Sequence, residues 1–389
     1  MKISAQMRFL RDLFTTTFST KLLSKLVLRS CLKLIFTSFR ILKNEKRVAF
    51  FNMFLNEFEM SLNKVGFRTR LRLEPLADQA NSEIAKSMNN FGIVIQGPIN
   101  SISELQQVQN TIIHYANTFP GMKIVLSTWH NSLRLSDDFE QIEDFYEVRT
   151  LDPGPSKPSN LQRQITSTHL GLEVLSGLGA DFIAIKTRTD QRITNPISLQ
   201  YIERKLSASI IPRVWTTDFG TGRYRIYGLS DQLQFGYISE MNKFWHDDGL
   251  EQKISRITGV EIREPTDLHF LSLGVHEILL VCDYLIRIGH IPAWTWDDYL
   301  FCLNNYFGIA SSETIGVVSF SRLRNPIDHV LPGMPQVELE INRHLSEVEW
   351  ELICNGCQLQ MPSSKLLLAA MKVPNSDLPF INHIWSKKQ

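Results

Sequence analysis

Within seven consecutive residues, Lys186, Arg188, Asp190 and Arg192 set three cations and one carboxylate directly after an apolar run that reads Asp181 to Ile185. A protein interior tolerates such a cluster only when each charge meets a counter-charge, because an unpaired buried ion is strongly destabilising. The partners can be internal, as in a structural ion-pair network. They can also be the oxygens of a diphosphate. Guanidinium groups offer planar, paired donors to phosphate, and a carboxylate can hold Mg2+ or Mn2+ between them. Other chemistries lack their residues: there is no G-x-G-x-x-G, no G-x-x-x-x-G-K-[ST], no H-E-x-x-H and no G-x-S-x-G. Dehydrogenase, P-loop, zincin and serine-hydrolase templates therefore fail. Cys354-Asn-Gly-Cys357 has the spacing of a redox or zinc pair, but no second pair exists, and two reduced thiols around an Asn-Gly turn is the simpler reading.

The elements that must position this cluster follow from hydrophobic periodicity. Phe91 to Ile95 is a continuous apolar strand closed by Gly97-Pro98. Ser101, with Glu104 three residues on, predicts a capped helix with Leu105, Val108, Ile112 and Tyr115 on one face, ended by Phe119-Pro120-Gly121. Lys123 to Trp129 and Phe145 to Leu151 read as strands. Ser159 and Gln162 predict a second capping box, opening a helix that buries Leu161, Ile165, Leu172 and Leu175 and stops at Gly177 and Gly179. Asp181 to Ile185 is a fourth strand. Strands apolar on both faces, alternating with helices, mean a parallel sheet covered on its faces, hence an α/β nucleotide-binding type of core. Ligands of such sheets sit at the carboxyl ends of the strands. There the sequence carries Gln96-Gly97-Pro98, Ser127-Thr128-Trp129, Asp152-Pro153-Gly154-Pro155, and the charged run 186–192.

Several blocks in fixed order now carry a resemblance: Phe91-Gly-Ile-Val-Ile-Gln-Gly-Pro98, Ile124-Val-Leu-Ser-Thr-Trp129, Asn160 with Arg163-Gln-Ile165, Lys186-Thr-Arg-Thr-Asp-Gln-Arg192 and Leu229-Ser-Asp-Gln-Leu-Gln-Phe-Gly236. Over about residues 90 to 305 the chain resembles the WavE lipopolysaccharide synthesis family. The resemblance implies a GT-A-like fold, a mostly parallel sheet flanked by helices. It also implies glycosyl transfer from a nucleotide-sugar donor to a glycolipid or oligosaccharide acceptor. By position it implies donor contacts at Gln96, Gly97, Asn160, Arg163, Lys186, Arg188 and Arg192. The usual D-x-D appears as Thr187-Arg-Thr-Asp190, leaving Asp190 as the single ligand for a divalent Mn2+ or Mg2+. The proton acceptor falls on Glu277, at the start of an apolar helix where His276 replaces the family's proline, with Asp231 as second choice. Trp294 and Trp296 offer faces for a sugar ring or, more simply, core.

The chain is long enough for such a domain with extensions: 389 residues, 43% hydrophobic and 21% charged. A net charge of +1 gives no overall basic field, so nucleic acid is not the expected partner. The balance hides an asymmetry. Residues 1–48 hold eleven Lys or Arg against Asp12 and Glu45, interleaved with Leu22, Leu26, Ile35, Phe36 and Phe39. That pattern predicts an amphipathic helix lying on an anionic leaflet, here the cytoplasmic face of an inner membrane. The expected divisions are a basic N-terminal region over 1–88, a catalytic domain over 89–310 and a helical C-terminal extension over 311–389. Lys365, Lys372, Lys387 and Lys388 make its tail basic. Two other readings stay open: a nucleotidyltransferase of sugar activation, against which the region after strand one lacks a Gly-rich cationic loop, and a non-catalytic sugar-binding scaffold.

Overall fold

The computed structural model describes residues 88–157, 160–179, 182–259, 274–319, 343–357 and 359–371. The basic arm, and the lysines at 372, 387 and 388, lie outside the described residues. The first half follows the expected alternation. Strand β1 (Phe91–Gln96) leads to helix α1 (Ile102–Thr118), then β2 (Lys123–Trp129), β3 (Phe145–Thr150), α2 (Leu161–Leu178) and β4 (Ile183–Arg188). Ser101 Oγ accepts from Glu104 N–H at the start of α1, while the Glu104 carboxylate accepts from Asn100 N–H one residue earlier than a strict capping box requires. Helix α2 starts after Asn160, and Ser159 of the expected capping box lies outside the described residues. Ser156 Oγ accepts from Gln162 N–H, and the Gln162 side chain turns outward to Thr166 and Asp247.

The sheet has the order β3-β2-β1-β4 in parallel, continued by β7 (Gln234–Tyr237) antiparallel to β4, then β6 (Val214–Thr217) and β8 (Phe307–Ala310). The chain lays β2 and β3 on one side of β1 and β4 on the other, so the order reverses between β1 and β4. That reversal opens a crevice beyond their carboxyl ends. Both faces are covered. Gly171 of α2 sits so close to Val94 that an added Cβ would fall 2.3 Å from its Cγ1, and one on Gly92 would fall 2.6 Å from Leu175. Glycine at these two positions is what lets α2 lie directly on β1.

Strand β4 runs three residues beyond the apolar segment: Lys186, Thr187 and Arg188 are paired within the sheet, with Val94↔Lys186 and Gln96↔Arg188 in register. Period-two alternation then puts Gly92, Val94, Gln96, Ala184, Lys186 and Arg188 on the face beneath α2. The charged run is therefore part of the sheet as well as of the loop after it.

Past β4, the short β5 (Gln191–Ile193) pairs with β9 (Val317–Ser319). Helix α3 (Ser198–Ala208) leads into β6. After β7 come α4 (Ile238–Phe244), α5 (Leu250–Gly259), α6 (His276–Arg287) and α7 (Trp296–Asn305). Beyond residue 310, α8 (Ser312–Ile315) precedes β9, and α9 (Glu347–Cys354) and α10 (Ser364–Ala370) follow it. Helix α9 packs on the sheet: Trp350 Nε1 donates to Leu303 O and Phe307 O, and its ring lies 4.9 Å from that of Trp215. Cys354 and Cys357 are free thiols around a turn at Gly356, whose φ is +79°. Among the described residues, no helix is long and apolar enough to cross a membrane.

Candidate active site

Gln96, Gly97, Arg188 and Asp190 stand at the carboxyl ends of β1 and β4, where the strand order reverses. Gln96 ends β1 with its Oε1 accepting from Ser167 Oγ of α2 at 2.8 Å, which fixes the amide against the helix. Gly97 follows with φ +133°, and an added Cβ would fall 2.8 Å from Thr189 Oγ1. This is a tight turn that only glycine makes without strain. Asn160, at the amino end of α2, adopts the left-handed conformation with φ +59° and makes no side-chain cap. Arg163, one turn into the helix, grips the Asp152 carboxylate after β3 with Nε and Nη2 at 2.7 and 2.6 Å. That pairing holds the Asp152 carboxyl below its usual range.

Two expected donor contacts take other positions. Lys186 is fully buried: its ammonium donates to the Asp231 carbonyl and lies 4.8 Å from the centre of the Trp245 ring. Burial pushes its pKa down to about 8 against the pull of the Asp231 and Asp190 carboxylates. The strand pairing explains this burial, since residue 186 lies within β4 and not in the loop after it. Arg192 is likewise drawn away. It lies on β5 with Nε donating to Thr111 Oγ1 of α1 at 3.2 Å, on the far side of the sheet from α2. Trp294 and Trp296 are buried core residues, so neither offers a face to a sugar.

Arg188 remains at the crevice, half-buried, with Nε and Nη2 on the two oxygens of Asp190 at 2.9 and 3.1 Å. Both oxygens of Asp190, where the divalent ion was expected, accept from the Arg188 guanidinium, so an ion there would have to share that carboxylate with Arg188. Asp190 holds Arg188 in place. Burial would depress the Arg188 pKa, but Asp190 and Asp231 more than offset it and keep it raised.

The second half of the site was not legible as a unit. Helix α6 begins at His276, which inserts between the two carboxylates expected to compete for the role of base. Its Nδ1 lies 3.2 Å from Glu277 Oε2, and its Nε2 lies 3.5 Å from Asp231 Oδ2. The Asp231 contact is at the outer limit of a hydrogen bond, and Oδ2 has no better partner. These three side chains bring ligand-type atoms within 4.8 Å of one another. Because the imidazole turns a different nitrogen to each carboxylate, however, one ring nitrogen does not face both of them as it would around a single ion. Burial would lower the His276 pKa, but the two carboxylates outweigh it and raise it. Burial would raise Asp231, yet His276, Lys186 and Arg188 pull it well below the usual carboxylate range. Asp231 therefore links the two halves: it feels both cations of β4 and neighbours the imidazole. The signal that could have found His276 was its place beside an acid at a helix start, where the resemblance suggested only a lost proline.

Comparison with known proteins follows this outline. Residues 91–258 match the family model described as WavE lipopolysaccharide synthesis, so the resemblance of the blocks from Phe91 to Gly236 is that of this segment. The observed α/β architecture, a mostly parallel seven-stranded sheet flanked by helices, is the one that resemblance implied. No curated protein matches the chain.

Proposed function

We propose, for a chain whose residues 91–258 belong to the WavE lipopolysaccharide synthesis family, that it is a glycosyltransferase moving a sugar from a nucleotide-sugar donor to a surface-glycan or glycolipid acceptor. One observation carries this reading. At the β1/β4 crevice, a guanidinium suited to a diphosphate meets a carboxylate–imidazole–carboxylate chain suited to a proton.

In this reading the donor lies beyond the ends of β1 and β4, with its nucleotide against Gln96, Gly97 and the Asn160 turn. As the bond from the anomeric carbon to the diphosphate breaks, its electron pair passes to the leaving group. Arg188 then faces the new negative charge, already oriented by Asp190. Lys186 adds positive potential from beneath without contact. The acceptor oxygen forms its bond to the anomeric carbon and releases its proton to Glu277, and His276 connects that carboxylate to Asp231. Positive charge comes from side chains, and no step runs through an ion at Asp190. The basic, Leu- and Phe-bearing arm in residues 1–48 rests on an anionic leaflet and brings the site to a lipid-linked acceptor.

The decisive measurement is release of nucleoside diphosphate by the full chain, supplied with nucleotide sugars and a lipopolysaccharide-core or lipid-linked acceptor. Release should be acceptor-dependent and should vanish in Arg188→Ala and Glu277→Gln while circular dichroism is unchanged. Undiminished release in Arg188→Ala would remove the β4 charges from the chemistry. Nucleotide-sugar binding without release in the wild-type protein would favour a sugar-binding scaffold. Deleting residues 1–48 should abolish pelleting with vesicles rich in anionic lipid, and unchanged pelleting would move the membrane contact elsewhere.

A further inference from the structure

A second cluster of metal-type donors lies outside this site, where α6 ends and α7 begins. His290 Nε2 is 3.0 Å from Asp298 Oδ1 and 3.3 Å from Cys302 Sγ, and the three ligand-type atoms lie within 4.8 Å of one another. One ring nitrogen thus faces two heteroatoms at once. As a donor it has a single hydrogen to divide between oxygen and sulfur; as an acceptor it can take the thiol hydrogen but then turns its lone pair toward a carboxylate. No tautomer satisfies both contacts. A nucleophilic Cys-His-Asp relay is excluded by the same geometry, since such a relay needs thiol and carboxylate on opposite nitrogens. The thiol is also buried, and desolvation with the nearby Asp298 charge pushes its pKa far up.

We propose that His290, Asp298 and Cys302 form a zinc-type metal site with water as fourth ligand. Nitrogen, oxygen and thiolate donors together are the set a borderline-soft divalent ion selects. With metal bonds of roughly 2.0–2.3 Å and tetrahedral angles, the ligand atoms stand about 3.3 to 3.6 Å apart. The observed 3.0 and 3.3 Å need only a few tenths of an ångström of expansion. Binding releases the thiol proton to solvent, and the ion's charge replaces it. His290 and Asp298 are partly exposed, which gives the ion a way in.

The surroundings are built to hold Asp298. Its Oδ2 accepts from Tyr227 Oη and from Ala293 N–H, and Tyr227 Oη in turn accepts from Trp294 N–H. Tyr227 and Trp294 both adopt left-handed φ values, +58° and +56°, a conformation bulky side chains rarely take. Tyr227 stands four residues before Asp231. The metal therefore anchors the chain segment that delivers Asp231 to the crevice, which makes its ligands positioning residues for that segment. The site itself stands whether or not the chain transfers sugars.

The test uses the full chain, stripped with chelator and titrated with Co2+ as a spectroscopic stand-in for Zn2+. One equivalent should produce tetrahedral visible bands and a sulfur-to-cobalt charge-transfer band. Zn2+ should displace the Co2+ and raise the melting temperature, whereas Mg2+ should do neither. Cys302→Ser should lose the charge-transfer band, and His290→Gln should weaken binding by at least about tenfold. A wild-type protein that shows no charge-transfer band at excess Co2+ overturns the proposal without any variant. So does a band that survives in Cys302→Ser.

Discussion

Two charged clusters in this molecule look alike in the sequence and differ in the fold. The first joins Lys253, Arg256 and Arg287 to Asp248 and Asp283, between α5 and α6. Lys253 and Asp283 are fully buried 2.9 Å apart, Asp283 also accepts from Arg256 and Arg287, and Asp248 pairs with Arg256 and Lys253. The second joins Arg188, Asp190, Asp231, His276 and Glu277 at the β1/β4 crevice. The first centres on a fully buried Lys253–Asp283 pair, with its charges turned mainly on one another. The second is spread over the carboxyl edge of the sheet. It includes the Arg188 guanidinium paired with Asp190 and an imidazole 3.5 Å from an Asp231 oxygen with no better partner. Charge density alone does not make a site; what separates the two clusters is their place, since only the second lies where the strand order reverses at the carboxyl edge of the sheet.

The sharpest way to break this contrast is to exchange the expected penalties. Asp283→Ala strands three cations around a buried gap and should cost about 3–5 kcal/mol of stability, read as a large fall in melting temperature. A loss of activity without that fall would place Asp283 in the chemistry instead. Arg188→Ala and Glu277→Gln should do the reverse: a roughly 100- to 1,000-fold loss of transfer with a melting temperature close to wild type. If either variant unfolds the protein, the crevice is as structural as the interior cluster.

A subtler effect is the pH dependence of stability. The folded state raises the His276 pKa, so its contribution is fully present below the unfolded value of about 6.5 and fades as pH rises through the folded value. Asp231, held low, contributes above about 3.9 and loses that contribution only in stronger acid. The stability gap between wild type and His276→Gln should therefore be widest from about pH 4 to 6.5 and narrow above it, as followed by denaturant unfolding. A gap that widens with pH would mean that the imidazole is not bridging the carboxylates. The smallest effect should come from Arg163→Ala. Its pair with Asp152 is partly exposed, so stability should change by at most about 1 kcal/mol. A fall in nucleotide-sugar affinity in that variant would extend the site to the β3 end.

The alternation of strands and helices from Phe91 to Arg188 was legible because strands buried on both faces and helices with one apolar stripe leave different periods in the sequence. Even there, the end of β4 was misjudged: a lysine reads as a strand terminator until its neighbours are known, and only the pairing with Val94 and Gln234 shows it inside the sheet. Arg188, Asp190, Asp231 and Glu277 stand out as candidates from residue type and from family resemblance. Their grouping does not. That Arg192 turns to Thr111, 81 residues away, and that His276 lies between Glu277 and Asp231 depend on contacts between distant segments.

What the sequence determined by itself is the sheet and the chemistry its edge could support, because hydrophobic period and side-chain charge are local properties. What only the tertiary structure decided is which charges spend themselves on each other and which stay available. That outcome depends on distances of 3 to 4 Å between chain segments, and no spacing along the chain encodes them.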